Sequence, residues 1–206
     1  MGIYRKYIFP RLLDLGMSRP VLDKYRRELL KGVSGEVLEI GFGTGVNIAF
    51  YPEGVGVITA IDGNGGMNKK AYKRISSSNM AVKHIVAEAQ SLPFGKGSFD
   101  SVVSSFTLCS IREVEKALAE VFRVLKPSGR YFFLEHGLSP ESGVEKWQRR
   151  LTPLSKALAD GCHLNRNIKE LIETQPFEIE KLDRFYADAS PRVTGYLYQG
   201  IAVKVK

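Results

Sequence analysis

A glycine-rich segment and a later aspartate could together bind an adenosine group. Residues 39–45 read Glu-Ile-Gly-Phe-Gly-Thr-Gly and lie between a short apolar stretch and a helical stretch. Glycine lets the chain turn sharply and lets a ligand approach the backbone. Asp62 follows Gly41 by 21 positions at the end of the next apolar stretch. A carboxylate there can accept hydrogen bonds from both ribose hydroxyls of an adenosine.

Charge and spacing narrow the identity of this adenosine ligand. The glycines are spaced Gly-x-Gly-x-Gly, and no lysine of the phosphate-binding loop type follows them. Glu39 would place a negative charge where a dinucleotide carries its pyrophosphate, and like charges repel. The same carboxylate suits a cofactor with an ammonium and a sulfonium cation. We therefore predict S-adenosylmethionine as the cofactor and S-adenosylhomocysteine as its product; other nucleotides, or a glycine turn with no ligand, are the alternatives.

The elements that must position these residues alternate between strands and helices. Strand patterns are expected at residues 36–40, 57–61, 82–87, 100–105 and 131–134, and helices between them at residues 46–50, 66–76 and 113–125. This alternation is typical of an α/β fold with a parallel sheet covered by helices on both faces. After a helix at residues 167–174, two strands at residues 178–185 and 196–203 are joined by a short loop, which predicts an antiparallel hairpin.

The length of 206 residues fits a single domain. Within it we expect an N-terminal helical cap at residues 1–34, the cofactor-binding core at residues 35–136, and a substrate-side insertion with the C-terminal hairpin at residues 137–206. Residues 137–166 show the least regular pattern. Because they follow the fifth predicted strand, they could cover the active site.

Composition and charge limit the functional class less sharply. The formal net charge of +8 fits nucleic acid, an anionic membrane surface or simple solubility. The two cysteines, Cys109 and Cys162, are far apart in sequence, which predicts neither a disulfide framework nor a metal site. Two such thiols favour a reducing, cytoplasmic location. No apolar run approaches the length of a membrane span, and residues 1–11 lack the pattern of a secretory signal.

Five segments in order resemble the successive motifs of class I S-adenosylmethionine-dependent methyltransferases. They are residues 39–45, Asp62, residues 87–94 (Ala-Glu-Ala-Gln-Ser-Leu-Pro-Phe), residues 99–103 (Phe-Asp-Ser-Val-Val) and residues 125–129 (Leu-Lys-Pro-Ser-Gly). The resemblance extends from about residue 35 to the C-terminus. It implies a Rossmann-like fold with a seven-stranded, mostly parallel sheet that ends in an antiparallel hairpin.

The same resemblance implies a role for each matching residue. Glu39 would hold the methionine amino group, and Asp62 would bind the ribose hydroxyls. The loop residues Gly41, Phe42 and Gly43 would lie along the methionyl and ribose parts. The remaining implied contacts are Gly63, Met67, Glu88 and Ala89 around adenine, and Ser105 and Phe106 at the methionyl group.

Segments in the second half of the chain are similar to a narrower group, the membrane-associated thiol S-methyltransferases and their bacterial relatives. These segments are residues 107–110 (Thr-Leu-Cys-Ser), residues 134–136 (Leu-Glu-His), Trp147 and residues 160–166 (Asp-Gly-Cys-His-Leu-Asn-Arg). The similarity favours a small, lipophilic acceptor, with a thiol as the first choice. Phospholipid-headgroup amines and quinone carbons stay open as acceptors, because those enzymes share much of the core.

His136 is the candidate catalytic residue, with Glu135 beside it. His136 is expected at the carboxyl end of a parallel strand, where open α/β sheets bind ligands, and histidine can take a proton near pH 7. A thiol acceptor has a reference pKa of about 8.5 and would need to lose its proton. Glu135 would orient neighbouring groups. His163 and Cys109 are expected to have packing or capping roles.

The N-terminal cluster Tyr4-Arg5-Lys6-Tyr7 could form a lid over the cofactor or an interfacial helix on anionic lipid. The main alternative to a small-molecule enzyme is an RNA methyltransferase or nucleic-acid-binding module that uses the basic surface. The sequence supports this nucleic-acid alternative less well, because the positive charges are scattered along the chain. The Asn-Pro-Pro-Tyr-like motif with which amine-directed base methyltransferases bind their target is also missing after the fourth strand. A silent S-adenosylmethionine-binding subunit is a third possibility, and the oligomeric state stays open.

Overall fold

The computed structural model describes residues 4–65 and 68–205. Within them lie seven strands: β1 (Val37–Ile40), β2 (Val57–Asp62), β3 (Ala81–Val86), β4 (Phe99–Ser105), β5 (Leu125–His136), β6 (Phe177–Tyr186) and β7 (Tyr196–Lys204). They form one sheet in the order β3-β2-β1-β4-β5-β7-β6. The first five strands are parallel, and β7 is antiparallel to both β5 and β6. The prediction of a mostly parallel sheet with a terminal antiparallel hairpin is confirmed.

Helices fill the connections between these strands. They are α1 (Phe9–Met17), α2 (Asp23–Leu30), α3 (Asn68–Ser76), α4 (Val114–Val124), α5 (Ser142–Leu158), α6 (Ile168–Ile172) and α7 (Arg192–Gly195). A π-helical turn at Tyr4–Ile8 precedes α1, and short 3-10 helices cover Pro20–Leu22 and Val46–Phe50. Most of the parallel crossovers therefore carry a helix, as the handedness and spacing of parallel strands require.

The strand order places a cleft at the carboxyl ends of β1 and β4. The chain first moves outward from β1 to β2 and β3, and then returns to place β4 on the other side of β1. Connections on the two sides of this switch point diverge, which leaves a crevice where open α/β sheets bind ligands. Residues at the ends of β1, β2, β4 and β5 therefore meet at one edge of the sheet.

Two hydrophobic cores lie on the two faces of the sheet, and β5 contributes to both. Tyr131 and Phe133 belong to the core that includes α4, whereas Phe132 and Leu134 belong to the core that includes α2. Successive side chains of a strand point to opposite faces of the sheet. Residues 131–134 are therefore all buried because helices cover both faces.

Two sequence-based expectations about elements were wrong. Residues 137–166 are not irregular, because α5 supplies 17 residues of helix there despite Pro153 in its interior. A proline inside a helical pattern normally indicates a break, and this signal hid the helix. Strand β5 also begins at Leu125, six residues before the predicted start, since the pairing of β4 with β5 shifts register between Phe99 and Ser101.

Candidate functional site

Glu39 is buried near the carboxyl end of β1 and accepts two side-chain hydrogen bonds. Asn47 Nδ2 donates to Oε1 and the Tyr51 hydroxyl donates to Oε2, both at 2.8 Å. Burial raises the pKa of Glu39 to about 7, and the two hydrogen bonds only partly oppose this effect. The Asn47 amide also donates to Ser105 Oγ at 2.8 Å, which ties the ends of β1 and β4 together.

Asn47 carries an unsatisfied acceptor beside this carboxyl group. Its Oδ1 atom is buried and finds no hydrogen-bond partner within residues 4–65 and 68–205. A buried carboxyl group and a buried amide oxygen without a donor together form an acceptor-rich environment. Such an environment fits a ligand ammonium group.

Asp62 ends β2 and holds the glycine-rich loop. Its Oδ2 atom accepts from the backbone N–H of Gly43 at 2.8 Å, and Oδ1 accepts from that of Asn64 at 2.7 Å. Gly43 has φ of +56°, and a Cβ atom added there would meet no heavy atom closer than 3.8 Å. At Gly41 the same atom would lie 2.1 Å from Thr107 Oγ1, so close packing requires glycine. The space over Gly43 is therefore open to a ligand.

Phe42 lies between these glycines, but its side chain points away from the open space. It is buried in the core on the α2 side of the sheet, with its ring centroid 5.6 Å from that of His84. Any contact of Phe42 with a ligand would therefore use its backbone. The sequence placed this residue at the loop correctly but could not show which way its ring turns.

Of the predicted adenine-contacting residues, the structure brings Glu88 against Gly63 at the end of β2. A Cβ atom added at Gly63 would lie 2.9 Å from Glu88 Oε1, so the Glu88 carboxylate sits directly over Gly63. Ala89 packs against the core on the α4 side. Met67 lies outside the described residues.

Glu135 shapes the turn after β4. It is fully buried; Oε1 accepts from Ser104 Oγ at 2.8 Å, and Oε2 accepts from the N–H groups of Thr107 and Leu108 at 2.8 and 3.1 Å. Burial raises the pKa of Glu135 to about 7. Phe106 in this turn has φ of +53°, a conformation that an aromatic residue adopts only under constraint.

Arg26 is a site residue that the sequence analysis missed. It lies on α2, is 1% exposed, and has Nε and Nη1 atoms without a hydrogen-bond partner in the described part of the chain. Its nearest carboxylate is Asp23, with Oδ1 3.6 Å from Nη1, and its guanidinium carbon lies 5.9 Å from the ring centroid of Phe106. The contact with Phe106 places the guanidinium beside the turn after β4. No local motif surrounds it that could have marked it in the sequence.

His136 ends β5 and joins a cluster with both cysteines of the chain. Its Nε2 atom lies 3.1 Å from Cys162 Sγ, and its buried Nδ1 atom has no partner among the described residues. The possible ligand atoms of Cys109, His136 and Cys162 all lie within 4.8 Å of one another. The hydrogen bond with Cys109 and burial raise the pKa of Cys162 far above its usual range. The two cysteines, which are far apart in sequence, therefore meet in space, because α5 brings Cys162 back to the sheet.

The N-terminal segment and the end of α5 lie across the carboxyl edge of the sheet. The Tyr4 hydroxyl donates to the carbonyl of Leu158 at 2.6 Å, and Asn64 Nδ2 donates to Asp160 Oδ2 at 3.2 Å. The second contact joins the loop after α5 to the loop after β2. The lid hypothesis depends on the side chains of Arg5 and Lys6, and these are not among the side chains that the structure describes.

Asp14 on α1 connects the N-terminal segment to the glycine-rich loop. It accepts hydrogen bonds from Thr44 Oγ1 at 2.7 Å and from Lys70 and Arg74 at 2.6 Å each. Burial opposes ionisation of Asp14, but these hydrogen bonds outweigh it and lower the pKa of Asp14 to about 2. The sequence analysis did not identify this connection.

Comparison with known proteins identifies the family. The family model described as "Methyltransferase domain" matches residues 38–133. The thiol S-methyltransferase TMT1B of Rattus norvegicus is 38% identical over 192 residues, which cover 86% of this chain and 78% of that protein. The chain belongs to the S-adenosylmethionine-dependent methyltransferases. S-adenosylmethionine is therefore the methyl donor of this methyltransferase.

Two further relatives extend the comparison. The demethylmenaquinone methyltransferase of Clavibacter sepedonicus is 31% identical over 150 residues, which cover 70% of this chain and 61% of that protein. The crystal structure of a SAM-dependent methyltransferase from Aquifex aeolicus covers 95% of this chain and 98% of its own, with a TM-score of 0.67 and 17% identity. This structural similarity confirms the Rossmann-like class I fold of the methyltransferase.

Among the described residues, no helix is both long and apolar enough to cross a bilayer.

Proposed function

We propose that this methyltransferase transfers the methyl group of S-adenosylmethionine to a thiol of a small, lipophilic molecule. The extent of similarity carries the choice of a thiol. The alignment with the rat thiol S-methyltransferase covers 86% of the chain, whereas that with the quinone-directed relative covers 70%. Similarity that extends beyond the cofactor-binding core includes residues on the substrate side, and such similarity is informative about the acceptor.

In this proposal the first group of residues binds the cofactor. Glu39 and Asn47 Oδ1 accept from the methionine ammonium group, and Asp62 accepts from the ribose hydroxyls. Glu88 receives the adenine amino group above Gly63. These assignments fit the buried acceptors and the open space over Gly43.

Arg26 would hold the methionine carboxylate. A buried guanidinium with two unpartnered nitrogens is costly unless an anion approaches it, and the methionyl carboxylate would be adjacent to an ammonium group held at Glu39. The opposite charges of Arg26 and Glu39 would then match the two charges of the amino-acid part of the cofactor.

The remaining chemistry concerns the acceptor proton. Bound S-adenosylmethionine supplies a methyl group on a positively charged sulfur that departs as a neutral thioether. The acceptor sulfur gains this methyl group and must lose its proton, because only about a few per cent of an ordinary thiol is ionised at neutral pH. We assign removal of this proton to His136. Glu135 is a positioning residue, since its carboxyl oxygens already accept from the turn after β4.

An acceptor series tests the proposal. The purified protein would receive S-adenosylmethionine and an alkyl thiol, alcohol or amine of the same chain length, with a demethylated quinone and RNA as further acceptors. We expect methylated thiol by mass spectrometry at a rate at least about 100-fold above that of the matched alcohol, since sulfur is the better nucleophile. Preferential methylation of the quinone, the amine or RNA would contradict the thiol assignment.

We also propose that the exposed face of the N-terminal segment lies on the surface of an anionic lipid layer. This contact would bring a lipophilic acceptor within reach of the active site. Ile8, Leu12 and Leu15 recur at helical spacing and are exposed, Leu15 to 76%, with Arg11 beside them. Exposed apolar side chains on one helix face, flanked by a basic residue, are typical of interfacial helices.

A further inference from the structure

The cluster of Cys109, His136 and Cys162 contains two thiols besides the imidazole, whereas removal of a proton needs only one basic group. The three residues come from the loop after β4, the end of β5 and the loop after α5, and they are 3%, 8% and 9% exposed. Their possible ligand atoms lie within 4.8 Å of one another. Both thiols of the chain meet here, and neither has a role in the chemistry assigned so far.

We propose that these three side chains bind a zinc ion. Thiolate sulfur and imidazole nitrogen are the preferred ligands of zinc, and sets of two cysteines and one histidine are known at zinc sites. Zinc–sulfur bonds of about 2.3 Å and zinc–nitrogen bonds of about 2.0 Å place tetrahedral ligand atoms about 3.5 to 3.8 Å apart. His136 Nε2 lies 3.1 Å from Cys162 Sγ, which is just below that range. All three atoms lie within 4.8 Å of one another, a limit that is above it.

The charges of this set suit a buried site. Two thiolates and a neutral imidazole balance the two positive charges of zinc, so the loaded cluster is neutral and its burial carries little penalty. Each cysteine releases its proton to solvent when the ion binds. The Arg166 guanidinium donates to the Leu108 and Ile111 carbonyls, which places a positive charge beside the loop that carries Cys109.

Three protein ligands leave one position of a tetrahedral ion open, which distinguishes catalytic zinc sites from closed structural ones. Resting on the proposed function, we assign the open position to the sulfur of the acceptor. The acceptor thiol would bind as a thiolate and release its proton to solvent, because coordination deprotonates a thiol. His136 then contributes as a ligand through Nε2 instead of as a base.

Metal binding can be measured without any methyl transfer. The full-length protein would be stripped with a chelator under a non-thiol reductant and titrated with Zn²⁺ alone, and in parallel with Co²⁺. We expect one ion per chain, together with the sulfur-to-cobalt charge-transfer band and the intense visible bands of a tetrahedral site. In the wild-type protein, bound zinc should also protect both cysteines from alkylation, which mass spectrometry can follow without any substitution.

Matched variants separate this site from unspecific binding. Cys109→Ser, Cys162→Ser and His136→Asn should each weaken zinc binding at least about 100-fold, since each removes one of three ligands. His163→Asn is the control, because its Nδ1 atom faces the Cys109 carbonyl and not the cluster. We expect it to leave zinc affinity within about threefold of the wild-type value, and circular dichroism would establish that each variant is folded.

The outcomes distinguish this proposal from the proposed function. Absence of stoichiometric binding, failure of zinc to protect the cysteines, or equal loss of affinity in His163→Asn would overturn the metal site. If stripped enzyme still methylated thiols at the full rate, the assignment of the open position to the acceptor sulfur would be overturned and the thiol assignment would stand. Zinc could bind as expected while thiols are neither methylated nor able to change the spectrum of the cobalt-loaded protein. In that case the metal site would stand and the assignment of a thiol as the acceptor would be wrong.

Discussion

At the ends of β1 and β2, the site residues find their partners close by in sequence. Glu39 is bonded by Asn47 and Tyr51, and Asp62 by Gly43, all within 19 positions. At the end of β5 the partners are more distant: Glu135 is bonded by Ser104 and Thr107, and His136 pairs with Cys162, at separations of 26 to 31 positions. The carboxylates of Glu39 and Asp62 are therefore held by local partners, whereas the acceptor side depends on the packing of α5 and the second half of the sheet.

The two sides also differ in charge. The cofactor side contains a buried arginine without an adequate partner and a buried carboxyl group, and both would be satisfied by a zwitterionic ligand. On the acceptor side the hydrogen bond with Cys109 and burial raise the pKa of the Cys162 thiol, and the Glu135 carboxyl group already has donors within the protein. We therefore expect replacement of Arg26 to affect cofactor affinity and stability in opposite directions, and substitutions on the acceptor side to affect turnover or metal binding.

The largest expected effect concerns Arg26. Replacement by Met should weaken S-adenosylhomocysteine binding by about 2 to 4 kcal/mol, or roughly 30- to 1,000-fold, because the ligand carboxylate loses its buried cation. The free energy of unfolding of the ligand-free protein should stay unchanged or rise by about 1 kcal/mol, since the Asp23 carboxylate at 3.6 Å offsets only part of the desolvation of the buried guanidinium. Calorimetry and urea unfolding measure the two quantities. A less stable variant with unchanged affinity would assign Arg26 to the fold instead of the ligand.

The pH dependence of stability should be the next largest effect. Folding raises the pKa of Glu39 and of Glu135 from 4.5 to about 7, so the folded protein binds these protons more tightly than the unfolded chain. Their contribution is complete below about pH 4.5 and is lost as the pH rises through 7. Between pH 5.5 and 8 the ligand-free protein should lose on the order of 2 kcal/mol for each carboxyl group.

This pH dependence also compares the two sides directly. Saturating S-adenosylhomocysteine should reduce the loss from Glu39, because its ammonium group stabilises the ionised carboxylate, and should leave the loss from Glu135 in place. Glu135→Gln should remove the second part. Urea unfolding at both pH values, with and without ligand, measures each contribution, and an equal slope under all conditions would contradict these assignments.

Asp14 should have an intermediate effect. Asp14→Asn weakens the connection of α1 to Thr44, Lys70 and Arg74, which should reduce stability by about 1 kcal/mol and cofactor affinity by a few-fold. Faster proteolysis in the N-terminal segment would support the connection. Glu115→Gln, at an exposed position of α4, is a suitable control for the loss of one acidic side chain.

The smallest effect on folding and cofactor binding is expected on the exposed face of α1. Leu12→Asp with Leu15→Asp should leave stability and S-adenosylhomocysteine affinity unchanged, because both side chains are exposed. Sedimentation with vesicles that contain anionic lipid should lose the bound fraction seen with the wild-type protein. Equal sedimentation of the two proteins would contradict a lipid contact through this helix.

The contrast between the two sides explains what the sequence could predict. Strand alternation, the glycine spacing and Asp62 are local signals, so the sheet, the antiparallel hairpin and the cofactor were predicted correctly. Arg26 and Asp14 have no local signature, because their importance arises from contacts with β1, β4 and α3. Pro153 concealed α5, and without α5 the approach of Cys162 to Cys109 could not be foreseen. The roles of Glu39, Glu88 and His136 stay predictions, since they concern ligands and not the fold.

The most direct measurement compares S-adenosylhomocysteine binding to the wild-type protein, Asp62→Ala and His136→Asn by calorimetry. We expect binding to the wild-type protein, loss of about 30-fold or more in Asp62→Ala because two ribose hydrogen bonds disappear, and a change of no more than about threefold in His136→Asn. That pattern would place the cofactor at the ends of β1 and β2 and leave the end of β5 to the acceptor. Unchanged binding in Asp62→Ala, or equal loss in both variants, would contradict this division of the site.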